Sequence, residues 1–464
     1  MLTDAAVVIL AAGQGTRMKS RLPKVLHCAG GKSLVRHSID TALEVAPRER
    51  VFVVVGFQGD KVRMEAEAAG AGSIEQTEQL GTGHAVLCGR DRLSGLGGRL
   101  IVSVGDCPLI RAATLEALSE TVRTSGAAAA MITTDVENPA GYGRIIRNAA
   151  GDVTEIVEHK ACTPEQLLVR EINSGIFCFD ANLFWKHVGE IRPDNAAREY
   201  YLTDMVSILI RAGHRVAAMK LDDPSELLGI NNRIELAAAD RILRERKVRQ
   251  LMTDGVTIEK PETVTIDSQV RIGIDTIVGP FAQILGDSVI GENVRIGACS
   301  IIDSSIVGDD AEVFPFSMIA ASTLDAKAHA GPFARIRMGA HLAEGAHIGN
   351  FVEVKKSRIG AGAKSMHLAY LGDSTIGDKS NIGAGTITCN YDGQKKHPTI
   401  IGDGAFIGSN STLVAPVEIE GGAYVAAGSV ITHKVPAQAL AVGRSRQVNK
   451  EGWRKRFRNP VAAE

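Results

Sequence analysis

A period of six runs through the second half of this 464-residue chain. Ile266, Ile272, Val278, Ile284, Ile290, Ile296 and Ile302 fall at strict six-residue intervals. So do Ile336, Leu342, Ile348 and Val354, and later Ile401, Ile407, Leu413, Ile419, Val425 and Ile431. Six suits neither a helix of 3.6 nor a hairpin meander; it is the signature of a parallel β-helix built from hexapeptides. Each repeat supplies a short strand and a corner, with the aliphatic side chain inward and a small residue such as Gly273, Gly297, Gly349 or Gly408 at the bend. Three repeats close one turn of a triangular prism. With strands about 4.8 Å apart, roughly nine turns make a rod on the order of 45 Å long. Aromatics are only 4% of the chain and glycines number 49, as a narrow aliphatic interior with tight corners requires.

The length predicts two or more domains, and the net charge of −1 provides no global field for nucleic acid or an acidic membrane surface. The cysteines at 28, 88, 107, 162, 178, 299 and 389 are scattered, odd in number and without CxxC spacing. That argues against a disulfide framework or a zinc site and for a reducing, cytoplasmic setting. The N-terminal apolar run lacks the basic flank of a signal peptide and ends in a glycine loop, so it reads as a strand. No segment reaches membrane-spanning length.

Before the repeats, residues 1–231 alternate strand-like and helix-like segments. Val7–Ala11, Val51–Val55, Leu100–Val104 and Ala127–Thr133 read as strands, and Leu34–Glu44 and Ala112–Thr124 as helices. The alternation predicts a mostly parallel, Rossmann-like α/β sheet with ligands beyond the carboxyl ends of its strands. Residues 232–252 are rich in Ala, Leu, Arg and Glu and predict a connecting helix. The β-helix is expected over 253–437 and a tail over 438–464, whose basic run from Lys450 to Pro460 reads first as a solvated end.

The first strand runs into Leu10-Ala11-Ala12-Gly13-Gln14-Gly15-Thr16-Arg17. A glycine turn there brings backbone N–H groups toward phosphates. It lacks the third glycine of the dinucleotide fingerprint, and Gly30-Gly31-Lys32-Ser33 lacks the earlier glycine of a P-loop. Arg17 and Lys24 beside such a cradle suit a triphosphate. In the repeat region the period breaks near Val307–Val313, between Ile319 and Ile336, around Ser365–Asp373, and at an insertion, Cys389–Pro398, that must loop out. Arg337, Lys355, Lys356, His367, Tyr370, Asn381, Asn390, Tyr391 and Lys396 gather at these breaks. A neutral His to take an amine proton, a carboxylate to orient it and cations for a phosphate suit acyl transfer to an amino sugar phosphate.

Several motifs carry a family resemblance: LAAGQGTRM with LPKVL, Gln79–Ala85 (QLGTGHA), Gly105–Leu109 (GDCPL), Gly141–Ile145 (GYGRI) and Ile172–Gly175 (INSG). With them the chain resembles the bifunctional bacterial N-acetylglucosamine-1-phosphate uridyltransferases / glucosamine-1-phosphate N-acetyltransferases over nearly its whole length. The resemblance implies that Leu10, Ala11, Ala12, Gly13 and Arg17 line the UTP phosphates and that Lys24 neutralises their charge. Gln76, Gly81 and Thr82 would read uracil, and Gly143, Glu158 and Asn173 would hold N-acetylglucosamine. Asp106 with Asn231 would bind Mg²⁺. In the β-helix it implies His367 as general base with Glu353 as its carboxylate partner. Arg337, Lys355, Tyr370, Asn381 and Lys396 would bind the sugar phosphate. Ala384, Asn390, Tyr391, Ser409, Ala427 and Arg444 would contact acetyl-CoA. It further implies a left-handed β-helix, a homotrimer with active sites between neighbouring rods, and a product that feeds peptidoglycan and lipopolysaccharide assembly. Val104, Met338 and Met366 depart from the family's usual Tyr, Pro and Gly. Two other readings stay open from the residues: a nucleotidyltransferase on an inert, oligomerising rod, and a binding protein with both sites dead.

Overall fold

The computed structural model describes residues 1–195 and 198–454. The end of the basic run, from residue 455, lies outside them. The chain divides into two compact units, Met1–Arg246 and Lys247–Glu464.

In the first unit, β1 (Ala5–Leu10) is a run of apolar residues buried on both faces, as a central parallel strand must be. It pairs in parallel with β2 (Val51–Val55) on one side and β4 (Arg99–Val104) on the other, and β2 pairs in parallel with β3 (Gly72–Glu75). Beyond β4 the expected parallel order ends. The long strand β8 (Glu171–Asp180) lies antiparallel between β4 and β5 (Ala129–Asp135), and β9 (Val216–Lys220) closes the edge in parallel with β5. The hairpin β6 (Arg144–Arg147) and β7 (Val153–Val157) attaches to β8. The order is thus β9-β5-β8-β4-β1-β2-β3, a mixed sheet. Helices α1 (Leu34–Val45), α2 (Gly59–Ala69) and α4 (Ala112–Ser125) bury Ile39, Val62 and Leu118 against one face. Helix α3 (Thr82–Leu87) and helix α5 (Asp204–Arg211) pack Val86 and Leu209 on the other. The connecting helix is observed as α6, Arg233–Thr253.

The second unit is the expected left-handed β-helix. Its three parallel sheets hold eleven, ten and nine strands, here called the first, second and third faces in chain order. The inward positions, from Ile266 through Ile431, form one continuous apolar core. The breaks in period have two causes. Where the chain turns from the second to the third face, some corners are one residue shorter, so partners lie 17 residues apart. There a serine repairs the bend: Ser305 N–H donates to Ser288 Oγ, Ser322 N–H to Ser305 Oγ and Ser374 N–H to Ser357 Oγ. The Cys389–Pro398 insertion leaves from this same corner and lengthens one coil without disturbing the ladder, since Thr375 still pairs with Ile400.

The corner between the first and second faces carries a column of residues at positive φ: Phe281, Cys299, Phe316, Phe333, Phe351 and Leu368. Left-handed backbone is costly for such side chains, and the rings recover part of it by stacking. Phe316–Phe333 and Phe333–Phe351 centroids lie 5.1 and 5.2 Å apart, with the rings nearly parallel. Cys299 is half-buried, and the four Phe and Leu368 are exposed.

Candidate active sites

At the carboxyl end of β1 a cavity of about 320 Å³ opens. Of the residues expected to bind the nucleotide or metal, Leu10, Ala11, Ala12, Gly13, Lys24, Gln76, Gly81, Thr82 and Asp106 line it. Gly15 has φ +66°, and a Cβ there would run into Lys24 Cβ, so this glycine lets the lysine lie against the turn. The Lys24 ammonium forms an ion pair with Asp106 and donates to Asn231 Oδ1 at 3.3 Å, and Arg17 donates to the same oxygen at 2.7 Å. A carboxylate and an amide oxygen thus face one cationic centre. Those donors fit Mg²⁺, which takes one or two protein oxygens and completes its shell with phosphates and water. Among the described residues no group of three or more His, Cys, Asp or Glu side chains could hold a metal ion.

Gly143, Glu158 and Asn173 form a second cluster rather than lining the cavity. Asn173 N–H donates to the Gly143 carbonyl at 2.9 Å, and a Cβ on Gly143 would lie 3.5 Å from Glu158 Oε1. The register of β8 slips between Asn173 and Phe177, a bulge of the kind that re-aims side chains at functional sites. Burial, reinforced by Asp204, holds the Glu158 carboxyl above the usual range. Val104, which lines the cavity, would lie 3.8 Å from a Cβ on Gly175, whose N–H donates to Asn173 Oδ1 at 3.1 Å. Glu199 also lines the cavity and was not singled out from the sequence. It precedes a strap in which Tyr200 bonds Leu80 and Gly83, and Leu202 N–H donates to Thr82 Oγ1.

In the β-helix, the corner between the second and third faces gathers Arg337, Lys355, Asp373 and Asn390 on successive coils. Lys355 is buried and donates to Asp373 Oδ2 at 3.3 Å; Asn390 donates to the same oxygen at 2.6 Å and to the Tyr370 hydroxyl at 3.4 Å. Lys396, from the insertion, meets Lys355. Of these two facing amines, Lys355 is the one that keeps its proton more firmly, through the hydrogen bond to Lys396 and then Asp373; Lys396 is pushed down by its bond to Lys355 and by that neighbour's charge. Gly372 makes room for the arrangement, since a Cβ there would sit 2.6 Å from Tyr370 Cζ and 2.7 Å from Asn390 Nδ2.

One expectation is corrected. Glu353 accepts from Arg337 Nε at 2.7 Å, and His367 Nδ1 instead meets Asn350 Oδ1 at 2.6 Å. The register explains it: His367 ends a first-face strand one coil above Asn350, whereas Glu353 begins the second face and pairs with Arg335 and Tyr370. An accepting Oδ1 fixes the proton on Nδ1 and leaves the Nε2 lone pair free. Asn381 belongs to the first face and pairs with Lys364, apart from the Lys355 group. Ala384, Ser409 and Ala427 stack at the first-to-second-face corner: Asn410 N–H donates to the Ala384 carbonyl and Gly428 N–H to that of Ser409. Arg444 closes this column beside Gly428. Above Leu368 the positive-φ positions become Gly385, Asn410 and Gly428, so the aromatic edge gives way to a narrow one. Tyr391 bridges to Lys396 within the insertion and donates to Gly393 O at 2.6 Å. Met338 accepts from Arg337 through sulfur at 3.0 Å, and Met366 is half-buried.

A family model for MobA-like NTP transferase domains matches residues 7–168. Hexapeptide-repeat models match residues 269–304, as a bacterial transferase hexapeptide, and 398–433, as a hexapeptide repeat of succinyl-transferase. Bifunctional protein GlmU of Solibacter usitatus is 60% identical over 452 residues, covering 97% of each chain. That of Koribacter versatilis is 48% identical over 451 residues, covering 97% of this chain and 96% of its own. The chain belongs to the GlmU family. Bifunctional protein GlmU of Pelobacter propionicus aligns at 45% identity over 98% of this chain and 99% of its own. The family's two parts, a nucleotidyltransferase and a hexapeptide-repeat acetyltransferase, are thus both present, one in each compact unit. No helix among the described residues is long and apolar enough to cross a membrane.

Proposed function

We propose that the β-helix transfers the acetyl group of acetyl-CoA to glucosamine-1-phosphate and that the first unit then transfers UMP from UTP to the product, giving UDP-N-acetylglucosamine and pyrophosphate. The observation that carries the reading is the Arg337, Lys355, Asp373, Tyr370 and Asn390 cluster with His367 nearby in sequence on the adjoining face. An inert rod has no use for a buried lysine, whose desolvation is costly, and this weighs against the purely structural alternative.

In the acetyl transfer, the amine attacks the thioester carbonyl, His367 Nε2 takes its proton, and the tetrahedral adduct collapses to the amide and the CoA thiol. Arg337, Lys355 and Lys396 bind the phosphate, with Tyr370 and Asn381 on the sugar; Ala384, Ser409, Ala427, Arg444, Asn390 and Tyr391 carry the CoA. In the uridylyl transfer, the sugar phosphate is already a competent nucleophile, so positioning and charge neutralisation do the chemistry. Its oxygen attacks the α-phosphorus in line and pyrophosphate leaves. Leu10–Gly13, Arg17 and Lys24 hold the triphosphate, Gln76, Gly81 and Thr82 the uracil, and Gly143, Glu158 and Asn173 the N-acetylglucosamine. Mg²⁺ held by Asp106 and Asn231 would add charge neutralisation on the phosphates.

The proposed assembly is a cytoplasmic homotrimer supplying cell-wall synthesis. The exposed Phe281, Phe316, Phe333 and Phe351 edge supports contact between rods. The test follows CoA release and pyrophosphate release on one purified sample. His367→Ala is expected to lose the first and keep the second with N-acetylglucosamine-1-phosphate supplied; Asp106→Ala should do the reverse. A wild-type protein that releases no CoA with glucosamine-1-phosphate would overturn the acetyltransferase assignment.

A further inference from the structure

The nucleotide cavity contains one polar side chain whose orientation is imposed from behind. Gln76 follows β3 and is nearly fully buried, yet it lines the cavity. Its amide nitrogen lies 3.1 Å from the Gly81 carbonyl oxygen and 3.1 Å from His84 Nδ1. A carbonyl can only accept, so the atom facing Gly81 is the NH₂ group. Its second N–H then points at His84 Nδ1, which must be an unprotonated acceptor. The proton of the neutral ring therefore sits on Nε2; Cys88 Sγ lies 3.8 Å from Nε2 and 3.9 Å from Nδ1. With both amide hydrogens engaged, Gln76 Oε1 has no protein donor among the described hydrogen bonds, and it is left as the acceptor on the cavity side.

We infer that His84 is a positioning residue for base selection: with the Gly81 carbonyl it clamps the Gln76 carboxamide so that an oxygen faces the nucleobase. This rests on the proposed reading of Gln76 as the uracil contact. An acceptor at that place matches a pyrimidine whose ring N3 carries a hydrogen, as in uracil. It faces a lone pair in cytosine, whose N3 is unprotonated. A site built to bond an N–H discriminates strongly against the analogue that lacks it, because its buried group is then left unpaired. His84 touches neither base nor phosphate in this scheme. It sits on the short helix α3, with its ring nitrogens within reach of Gln76 and Cys88.

The test is the ratio of kcat/KM for UTP to that for CTP, measured on the full chain with N-acetylglucosamine-1-phosphate. His84→Leu keeps side-chain bulk and removes the acceptor. His84→Asn keeps an acceptor oxygen near the place of Nδ1. The Leu variant is expected to lose about tenfold in UTP/CTP preference, the order of one hydrogen bond, and the Asn variant to recover most of it. Acetyl transfer in the second unit serves as the folding control, with His84→Ala replacing the Leu variant if that one does not fold. Unchanged preference in the Leu or Ala variant, or an Asn variant no better than Leu, would overturn the inference. Gln76→Ala separates the two levels. If it too leaves the preference intact, the uracil reading of Gln76 has failed. If it collapses the preference while the His84 variants do not, only the role of His84 has.

Discussion

Gly372→Ala isolates a single methyl group at the centre of the proposed acetyltransferase site. Gly372 does not require left-handed backbone, so alanine is tolerated by the chain and the effect is purely spatial. The new Cβ would lie 2.6 Å from Tyr370 Cζ and 2.7 Å from Asn390 Nδ2, where carbon contacts settle at about 3.5–4.0 Å. The ring and the amide must therefore each withdraw by about 1 Å. Residues 370 and 372 share the outward side of one strand, so it is the Tyr370 ring itself that must give way to the methyl. A displacement of that size at a reacting centre costs on the order of 100-fold in rate, or about 2.7 kcal/mol in the barrier. The assay is CoA release with glucosamine-1-phosphate, with uridylyl transfer on the same sample as an internal standard that stays unchanged. The decisive control is the same substitution in a Tyr370→Ala background. There the main obstacle is gone, and Gly372→Ala should cost less than about tenfold more. If the methyl costs the same in both backgrounds, or nothing in either, the packing of Tyr370 over Gly372 is not what sets the site.

Two other outcomes follow from the same corner and its neighbour. Lys396 is held below its usual range by the facing Lys355, so the site loses phosphate-binding charge as pH rises through that lowered value. Lys355→Met should move the alkaline fall of kcat/KM for glucosamine-1-phosphate to higher pH, and a limb that stays put or moves down contradicts the pairing. Asn350→Ala should lower kcat for acetyl transfer about tenfold by releasing the His367 tautomer, with little change in KM; a pure KM effect would place Asn350 in binding instead.

What the sequence made legible is what repeats or what belongs to a contiguous motif. Inward aliphatics at every sixth position announce the β-helix because each one recurs at the same place in the triangle. The Leu10–Gly13 turn and Asp106 stand just past strand ends, where an α/β sheet presents its ligands, and the structure brings Lys24, from a short helical turn, beside them around one cavity. The antiparallel course of β8 was hidden, since an apolar run such as Ile176–Phe179 looks the same in either direction. Asn350 was hidden for a different reason. In a solenoid the neighbour across the ladder is a full coil away, and here a coil is 17 residues. Glu353 is nearer to His367 along the chain, but a corner intervenes and turns it toward Arg337. The shortened corners looked like lost period because a serine hydroxyl replaces a stretch of backbone, which no hydrophobic pattern records. Glu199 sits in a segment whose position depends on its strap to Leu80 and Gly83, and nothing local to it signals that docking.

The second face of the prism joins the two corners on which the proposed acetyl transfer depends. Ala384, Ser409 and Ala427 stand along one of its edges, and Arg337, Lys355, Asp373 and Asn390 along the other. Its strands are three residues wide, as at Tyr370–Gly372 and Ile387–Cys389, which is about 10 Å of extended chain. That width works as a calliper with fixed jaws. Substitution can change what stands at either edge, and insertion can lengthen a corner, but neither alters the span without opening the triangle.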